Sequence, residues 1–308
     1  MKIVFAGTPA FALPSLTALH AAGHEIAAVL TQPDAPKGRK GVLTPPPVKE
    51  FAIKAGIPVL QPVRLRDEGE ILRAVGAELM VTCAYGQLLT QEILDAFPLG
   101  VWNVHASILP AYRGAAPIAR CIIDGAEKTG VTIMKTDIGM DTGDVFLVEE
   151  CAVTDEDTCG TLTEKLAQSG ARLIVDALGR IARGEIMLTK QGAGTVCKKV
   201  ARTEVDFTRS AREVSALVRG LSPAPLAFGR IGALTLNFYH AQAVPCADDA
   251  PCGTVLCDQP KEGLLVKCGD GAVKIMQLQP AGGKIMSARD FLNGRKVQKG
   301  QCFEKPVL

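Results

Sequence analysis

Trp102-Asn103-Val104-His105-Ala106-Ser107-Ile108-Leu109-Pro110-Ala111-Tyr112-Arg113-Gly114-Ala115-Ala116-Pro117 opens on an apolar run and leaves it through a loop of small residues, Pro and Gly. Val101–His105 reads as a strand. Residues two apart on a strand face the same side, so Asn103 and His105 present an amide and an imidazole to one ligand. The chain has four histidines, and one of them stands here. Further on, Asp137-Ile138-Gly139-Met140-Asp141-Thr142-Gly143-Asp144 brings carboxylates. An amide, an imidazole and a carboxylate together can stabilise a tetrahedral acyl-transfer intermediate and move its protons. A bare Asn-x-His is more often a hydrogen-bonded structural pair. Its neighbours in sequence decide between the two readings.

Outward from this strand the first half alternates short apolar runs with helical patterns. Strands are expected over Ile3–Ala6, Glu25–Leu30, Pro58–Leu60 and Leu79–Ala84, with a pair at Val131–Lys135 and Val145–Val153. Helices are expected over Phe11–Ala22 (ended by Gly23), Pro47–Ala55, Glu68–Val75, Gln91–Ala96, Ala116–Asp124 and Thr158–Ala182. This alternation specifies an α/β fold, a Rossmann-like, mostly parallel sheet with helices on both faces. Ligands of such sheets bind at the carboxyl ends of the strands, where Asn103 and His105 fall. Gly184–Asp206 reads as a connector with room for one short strand. A helix follows at Ser210–Gly220, then β runs at Leu234–Ala241, Gly253–Cys257, Gly263–Cys268 and Gly271–Leu278, and a helix at Ser287–Leu292. Short strands at this spacing indicate a small barrel or sandwich. The expected division is 1–189, a connector over 190–207, and 208–308.

Composition narrows the functional classes. At 308 residues with 47% apolar residues and a net charge of +2, the chain is long enough for two folded domains and is not a disordered one. Residues 206–308 carry 13 Lys/Arg against 9 Asp/Glu, a mildly basic third compatible with nucleic acid and equally with a solvated face. Ten cysteines are scattered without a Cys-x-x-Cys pair, which points to reduced thiols in the cytoplasm and away from a zinc ribbon. No metal is expected: His20 and His24 have metal-pair spacing, but Gly23 ends their helix between them. The first apolar run is too short for a signal-peptide core, and none is long enough for a membrane span. Gly7-Thr8-Pro9 after the first strand lacks the glycines of a dinucleotide or phosphate loop.

The run Asn103–Gly114 resembles the signature of the 10-formyltetrahydrofolate-dependent formyltransferase superfamily, and Asp137–Asp144 resembles its second signature. Within that superfamily the chain is similar to the methionyl-tRNA formyltransferases. The similarity is carried by Phe5-Ala6-Gly7-Thr8-Pro9, Thr31-Gln32-Pro33-Asp34 with Gly38-Arg39, Ala84-Tyr85-Gly86, Arg113–Ile118 and Leu278-Gln279-Pro280-Ala281-Gly282, and it covers essentially the whole chain. The resemblance implies Asn103, His105 and Asp144 as the catalytic set, with Asp144 orienting the imidazole and holding a proton-carrying water. It implies a folate site from Ser107, Ile108, Leu109, Pro110, Ala84, Tyr85, Gly86 and Asp141, with 10-formyltetrahydrofolate as co-substrate.

The partner so implied is initiator methionyl-tRNA, approached by the polar loop Gln32–Thr44 through Arg39, Lys37 and Lys40. Closely spaced cations suit phosphate contact. The last hundred residues resemble the family's C-terminal β-barrel of OB type, where Lys267, Lys274, Lys284, Arg289, Arg295 and Lys296 are candidates for contact with the tRNA backbone. The chain departs from the family at Glu204-Val205-Asp206-Phe207 and Ser222-Pro223-Ala224-Pro225, which lack the usual tryptophans, and at Ala106, where glycine is common. A monomer free of any membrane is expected. The rival enzymes are a formyltransferase for a sugar-nucleotide amine and a formyltetrahydrofolate hydrolase. A nucleic-acid-binding module without catalysis is the rival of another class, and the intact Asn103, His105 and Asp144 argue against it.

Overall fold

The computed structural model describes residues 1–38, 41–294 and 297–306. The chain divides into two compact units. The first comprises Met1–Pro117, Thr129–Ala152 and Thr163–Lys198; the second comprises Ile118–Lys128, Val153–Leu162 and Lys199–Leu308. The first unit therefore runs past the expected boundary after residue 189, and the second takes in two segments from the first half of the sequence. Among the described residues, no helix is long and apolar enough to cross a membrane.

In chain order the first unit holds β1 (Lys2–Gly7), α1 (Leu13–Ala21), β2 (Glu25–Leu30), β3 (Ala35–Lys37), β4 (Val42–Thr44), α2 (Pro47–Lys54), β5 (Val59–Leu60), α3 (Gly69–Val75), β6 (Leu79–Cys83), α4 (Gln91–Leu94), β7 (Val101–His105) and β8 (Arg113–Gly114). After α5 (Pro117–Ile123) come β9 (Lys128–Lys135), β10 (Val145–Ala152), α6 (Cys159–Ala182) and β11 (Val196–Cys197). The main sheet has the order β10-β9-β7-β6-β1-β2-β5. The five strands β7, β6, β1, β2 and β5 are parallel, and β9 joins β7 antiparallel. Ile3, Val4, Phe5 and Ala6 are all fully buried, as a strand covered on both faces requires. Val4, Ala6, Ala28, Leu30, Met80 and Val101 cluster with Leu72 of α3 and Ile93 of α4. On the opposite face, Gly170 of α6 comes close to Val104 and Val131.

The second unit continues with β12 (Thr203–Glu204), α7 (Ala211–Gly220), β13 (Ala227–Ile231), β14 (Leu234–Val244), β15 (Val255–Cys257), β16 (Leu264–Lys267), β17 (Ala272–Pro280), β18 (Met286–Ser287) and α8 (Ala288–Asn293). Its sheet runs β12-β13-β14-β17-β16-β15, with β18 on β17. Val214 and Val218 of α7, Phe291 and Leu292 of α8, and Phe238, Val266 and Ile275 of the strands form one buried cluster. Ser210 caps α7 by accepting the amide of Glu213, whose side chain in turn takes the Ser210 N–H. The buried Arg219 donates to the carbonyls of Thr154 and Asp157 at 3.2 and 2.9 Å, which ties the Val153–Leu162 segment into this unit. Lys267, a sequence candidate for tRNA contact, is itself buried; Lys284 and Arg289 are exposed, Lys274 is half-buried, and Arg295 and Lys296 lie outside the described residues.

Candidate active site

Asn103 and His105 sit at the carboxyl end of β7, on the face that carries Val101. Thr82 on β6 lies beside Asn103 in the register and donates its hydroxyl to Asn103 Oδ1 at 2.9 Å. The other end of the amide fixes its orientation, because a carboxylate only accepts and so must face the nitrogen. Its Nδ2 is left to point at Asp141 Oδ1, 3.4 Å away. His105 is buried, with Nε2 3.0 Å from the carbonyl of Tyr112. A carbonyl only accepts, so Nε2 carries a hydrogen and Nδ1 is the nitrogen that faces the site. Nδ1 lies 3.6 Å from Asp141 Oδ1, an ion pair when the ring holds both protons.

The carboxylate brought to the amide and imidazole is therefore that of Asp141, expected as a folate residue, and not that of Asp144. Among the described residues, neither Asn103 nor His105 reaches Asp144. The reason lies in the loop. Asp137 accepts the Thr142 hydroxyl at 2.8 Å and the Gly139 N–H at 3.0 Å, which coils the segment. Asp141 takes a left-handed backbone, φ 55°, and turns its side chain back onto β7. Gly143 then passes so close to the Lys135 carbonyl that a Cβ would collide with it. Asp144 has by then entered the β9–β10 ladder, its carbonyl accepting from Lys135 N–H at 2.9 Å. The second oxygen of Asp141 takes the Gly114 N–H at 2.8 Å.

The other expected folate residues divide into two kinds. Ser107 is fully buried and its hydroxyl donates to the Ala111 carbonyl at 2.6 Å. Thr132 bridges the Ser107 carbonyl and the Leu109 N–H. These two residues shape the loop, which passes through a cis Leu109–Pro110 bond. Leu109 is buried, whereas Ile108 and Pro110 are half-buried. Ala84 and Gly86 both have positive φ, 48° and 86°, and flank Tyr85. The Tyr85 ring points into the core, and burial pushes its hydroxyl up to about 12. What this turn offers a ligand is main chain, with Gln32 Nε2 already on the Tyr85 carbonyl at 3.0 Å. Beside it, burial pushes the Cys83 thiol up to about 12 as well, which removes it as a nucleophile at neutral pH.

The loop expected to meet tRNA contains a short hairpin, β3 paired with β4, with Lys37 opposite Val42. Arg39 and Lys40 lie outside the described residues. Asp34 at its base is bridged to Lys49 at 2.8 Å, and Gln61 donates to it at 2.9 Å. Among the described residues no cluster of His, Cys, Asp and Glu could hold a metal.

Sequence reasoning passed over Thr82, Arg113 and Gln191. Gln191 Oε1 accepts from Arg113 Nε and Nη2 at 3.0 and 2.8 Å, and its Nε2 donates to the carbonyls of Asp141 and Gly143 at 3.0 and 2.6 Å. The stretch around it pairs β11 with β8, and its Thr195 hydroxyl accepts the Tyr112 N–H at 2.8 Å. Nothing in the polar, glycine-rich run Gly184–Asp206 marks it as part of a site.

An amide, an imidazole and a carboxylate gathered at a strand end of an open α/β sheet have the makings of an acyl-transfer site. Residues 1–178 match the formyl transferase family, and residues 198–296 match the formyl transferase C-terminal domain. The chain is 43% identical over 308 residues to a methionyl-tRNA formyltransferase of Herminiimonas arsenicoxydans, covering 96% of this chain and 97% of that protein. It is 44% identical over 305 residues to a methionyl-tRNA formyltransferase of Chromobacterium violaceum, covering 97% and 98%. In fold it is similar to an N-formyltransferase from Helicobacter canadensis crystallised with folinic acid and dTDP-3-aminofucose, with a TM-score of 0.67, 16% identity, and 89% and 98% of the two chains covered. The chain belongs to the formyl transferase family and is a formyl-transferring enzyme.

Proposed function

We propose that the chain transfers the formyl group of 10-formyltetrahydrofolate to the α-amino group of methionyl initiator tRNA, for translation initiation in the cytoplasm. The observation that carries the chemistry is the convergence of Asn103 Nδ2, His105 Nδ1 and the Asp141 carboxylate at the end of β7. The full-length similarity to methionyl-tRNA formyltransferases supports the acceptor.

The amine attacks the formyl carbon and a C–N bond forms. The carbonyl oxygen becomes an oxyanion that accepts from Asn103 Nδ2 and from His105 Nδ1 when the ring is doubly protonated. Asp141 holds the imidazole in place, and the proton lost by the amine passes beside its carboxylate to the folate nitrogen as the old C–N bond breaks. The products are the formylated amine and tetrahydrofolate. The main chain of Ala84–Gly86 and the Ile108–Pro110 loop hold the folate. Lys37, Arg39 and Lys40, with the exposed Lys284 and Arg289, contact tRNA phosphates, and the enzyme acts as a monomer.

Transfer of labelled formyl from 10-formyltetrahydrofolate tests this directly, with charged initiator tRNA, free methionine, a sugar-nucleotide amine and water as competing acceptors. Label on the tRNA that is lost in His105→Ala is the expected result. Folate consumed with no label on tRNA would overturn the acceptor and leave the site standing.

A further inference from the structure

We infer that Gln191 is a positioning residue for formyl transfer, holding the Asp141 carboxylate against His105; this rests on the reading of Asn103, His105 and Asp141 as the reacting set. Among the described residues, no hydrogen bond joins Gln191 to Asn103 or His105. Its reach is to the main chain on both sides of Thr142, at the carbonyls of Asp141 and Gly143. Its other end is fixed by two N–H groups of Arg113. The amide orientation is unambiguous, since a guanidinium only donates and a carbonyl only accepts.

These contacts close a ring. Arg113 precedes Gly114, whose N–H binds Asp141 Oδ2. Asp141 thus has its carboxylate held from the 112–114 turn directly and its backbone held from the same turn through Gln191. Beyond these, the loop is held by its internal bonds from Asp137 to Gly139 and Thr142. Ile138 and Met140 at its tip are 68% and 49% exposed, so apolar burial contributes little there. Asp141 is also in a left-handed conformation, φ 55°, which a non-glycine residue keeps only when its surroundings impose it. The carboxylate stands 3.6 Å from His105 Nδ1, and a shift of ~1 Å in such a contact is worth ~10² in rate.

Steady-state kinetics with 10-formyltetrahydrofolate and charged initiator tRNA test the inference in the full-length chain. Gln191→Leu removes both ends of the bridge. Gln191→Glu keeps an acceptor for Arg113 but sets an oxygen against two carbonyls, so it separates the loop contact from the Arg113 contact. Both variants should lose kcat by about 10- to 100-fold while KM for each substrate stays within about threefold. In an Asp141→Asn background, Gln191→Leu should cost less than about twofold more, because the group it positions is already disabled. Wild-type kcat in both single variants, or the full loss repeated in the Asp141→Asn background, would overturn the inference. Near-normal turnover of Asp141→Asn alone would sink the catalytic reading first, independently of Gln191, and the inference with it.

Discussion

Tyr112 and Asp141 both hold left-handed backbone angles, φ 57° and 55°, and both turn a group onto His105. Neither is a glycine, so each conformation is imposed by its contacts: Thr195 on the Tyr112 N–H, and Gln191 with Gly114 on Asp141. The loss of one oxyanion donor removes ~10²–10³ in rate. Asn103→Ala and His105→Ala should each fall by that amount in a single-turnover assay while keeping the wild-type thermal midpoint. Asp34 offers a pH prediction. Hydrogen bonds from Lys49 and Gln61 hold its carboxyl below the usual range. A depressed carboxyl adds stability that is full above the ordinary value, about 3.9, and is lost as pH falls through the lowered folded value. A carboxyl NMR titration should show the Asp34 midpoint rise in Lys49→Met; an unmoved midpoint would remove Lys49 as the cause. The sequence made Asn103 and His105 readable because strand alternation alone puts them on one side. The resemblance placed Asp144 with them and Asp141 with the folate, and the sequence could not show that Asp141 is the carboxylate beside them, because that depends on one backbone angle and on how closely Gly143 passes Lys135.

Elements with a strong local signal were legible in advance. α7 announces itself through the three- and four-residue spacing of its apolar residues, Val214, Leu217 and Val218, and β7 has its expected bounds. Ser210→Ala should destabilise the chain by about 1 kcal/mol, read as a shift of the denaturant midpoint with the slope unchanged. The pairing of β8 with β11 was not legible. Two residues on each side make too short a pattern, and the partners lie some eighty positions apart in sequence. Its stringency rests on Gly114, at φ 99°, where a Cβ would stand 2.6 Å from the Cys197 carbonyl. Gly114→Ala should therefore cost about 1–3 kcal/mol and lower kcat together, since the same residue supplies the N–H on Asp141. An alanine variant with both properties unchanged would mean that this strand pair does not frame the site. The hairpin β3–β4 escaped notice for a similar reason: three-residue strands carry no periodicity.

For the whole molecule, strand and helix alternation was enough to read the parallel sheet, because each buried strand is a continuous apolar run. The assembly of the two units was less readable. Ile118–Lys128 and Val153–Leu162 group with the last third of the chain through contacts such as those of the buried Arg219 with Thr154 and Asp157, which leave no trace in local composition. The scattered cysteines have a whole-molecule consequence. Burial raises the thiols of Cys83 and Cys268 to about 12, whereas Cys302 is exposed. Brief alkylation of the native protein at pH 8 should label Cys302 and spare Cys83 and Cys268, with mass spectrometry of the digest as readout. Fast labelling of Cys83 would mean that the first unit opens at the edge of its site. The central claim is that Asn103, His105 and Asp141 together move a formyl group onto an amine. The most direct test is the single-turnover rate of formyl transfer to methionyl-tRNA by Asp141→Asn beside Asp144→Asn. The arrangement predicts a loss of about 10² or more for Asp141→Asn and less than about threefold for Asp144→Asn; the reverse order would contradict it.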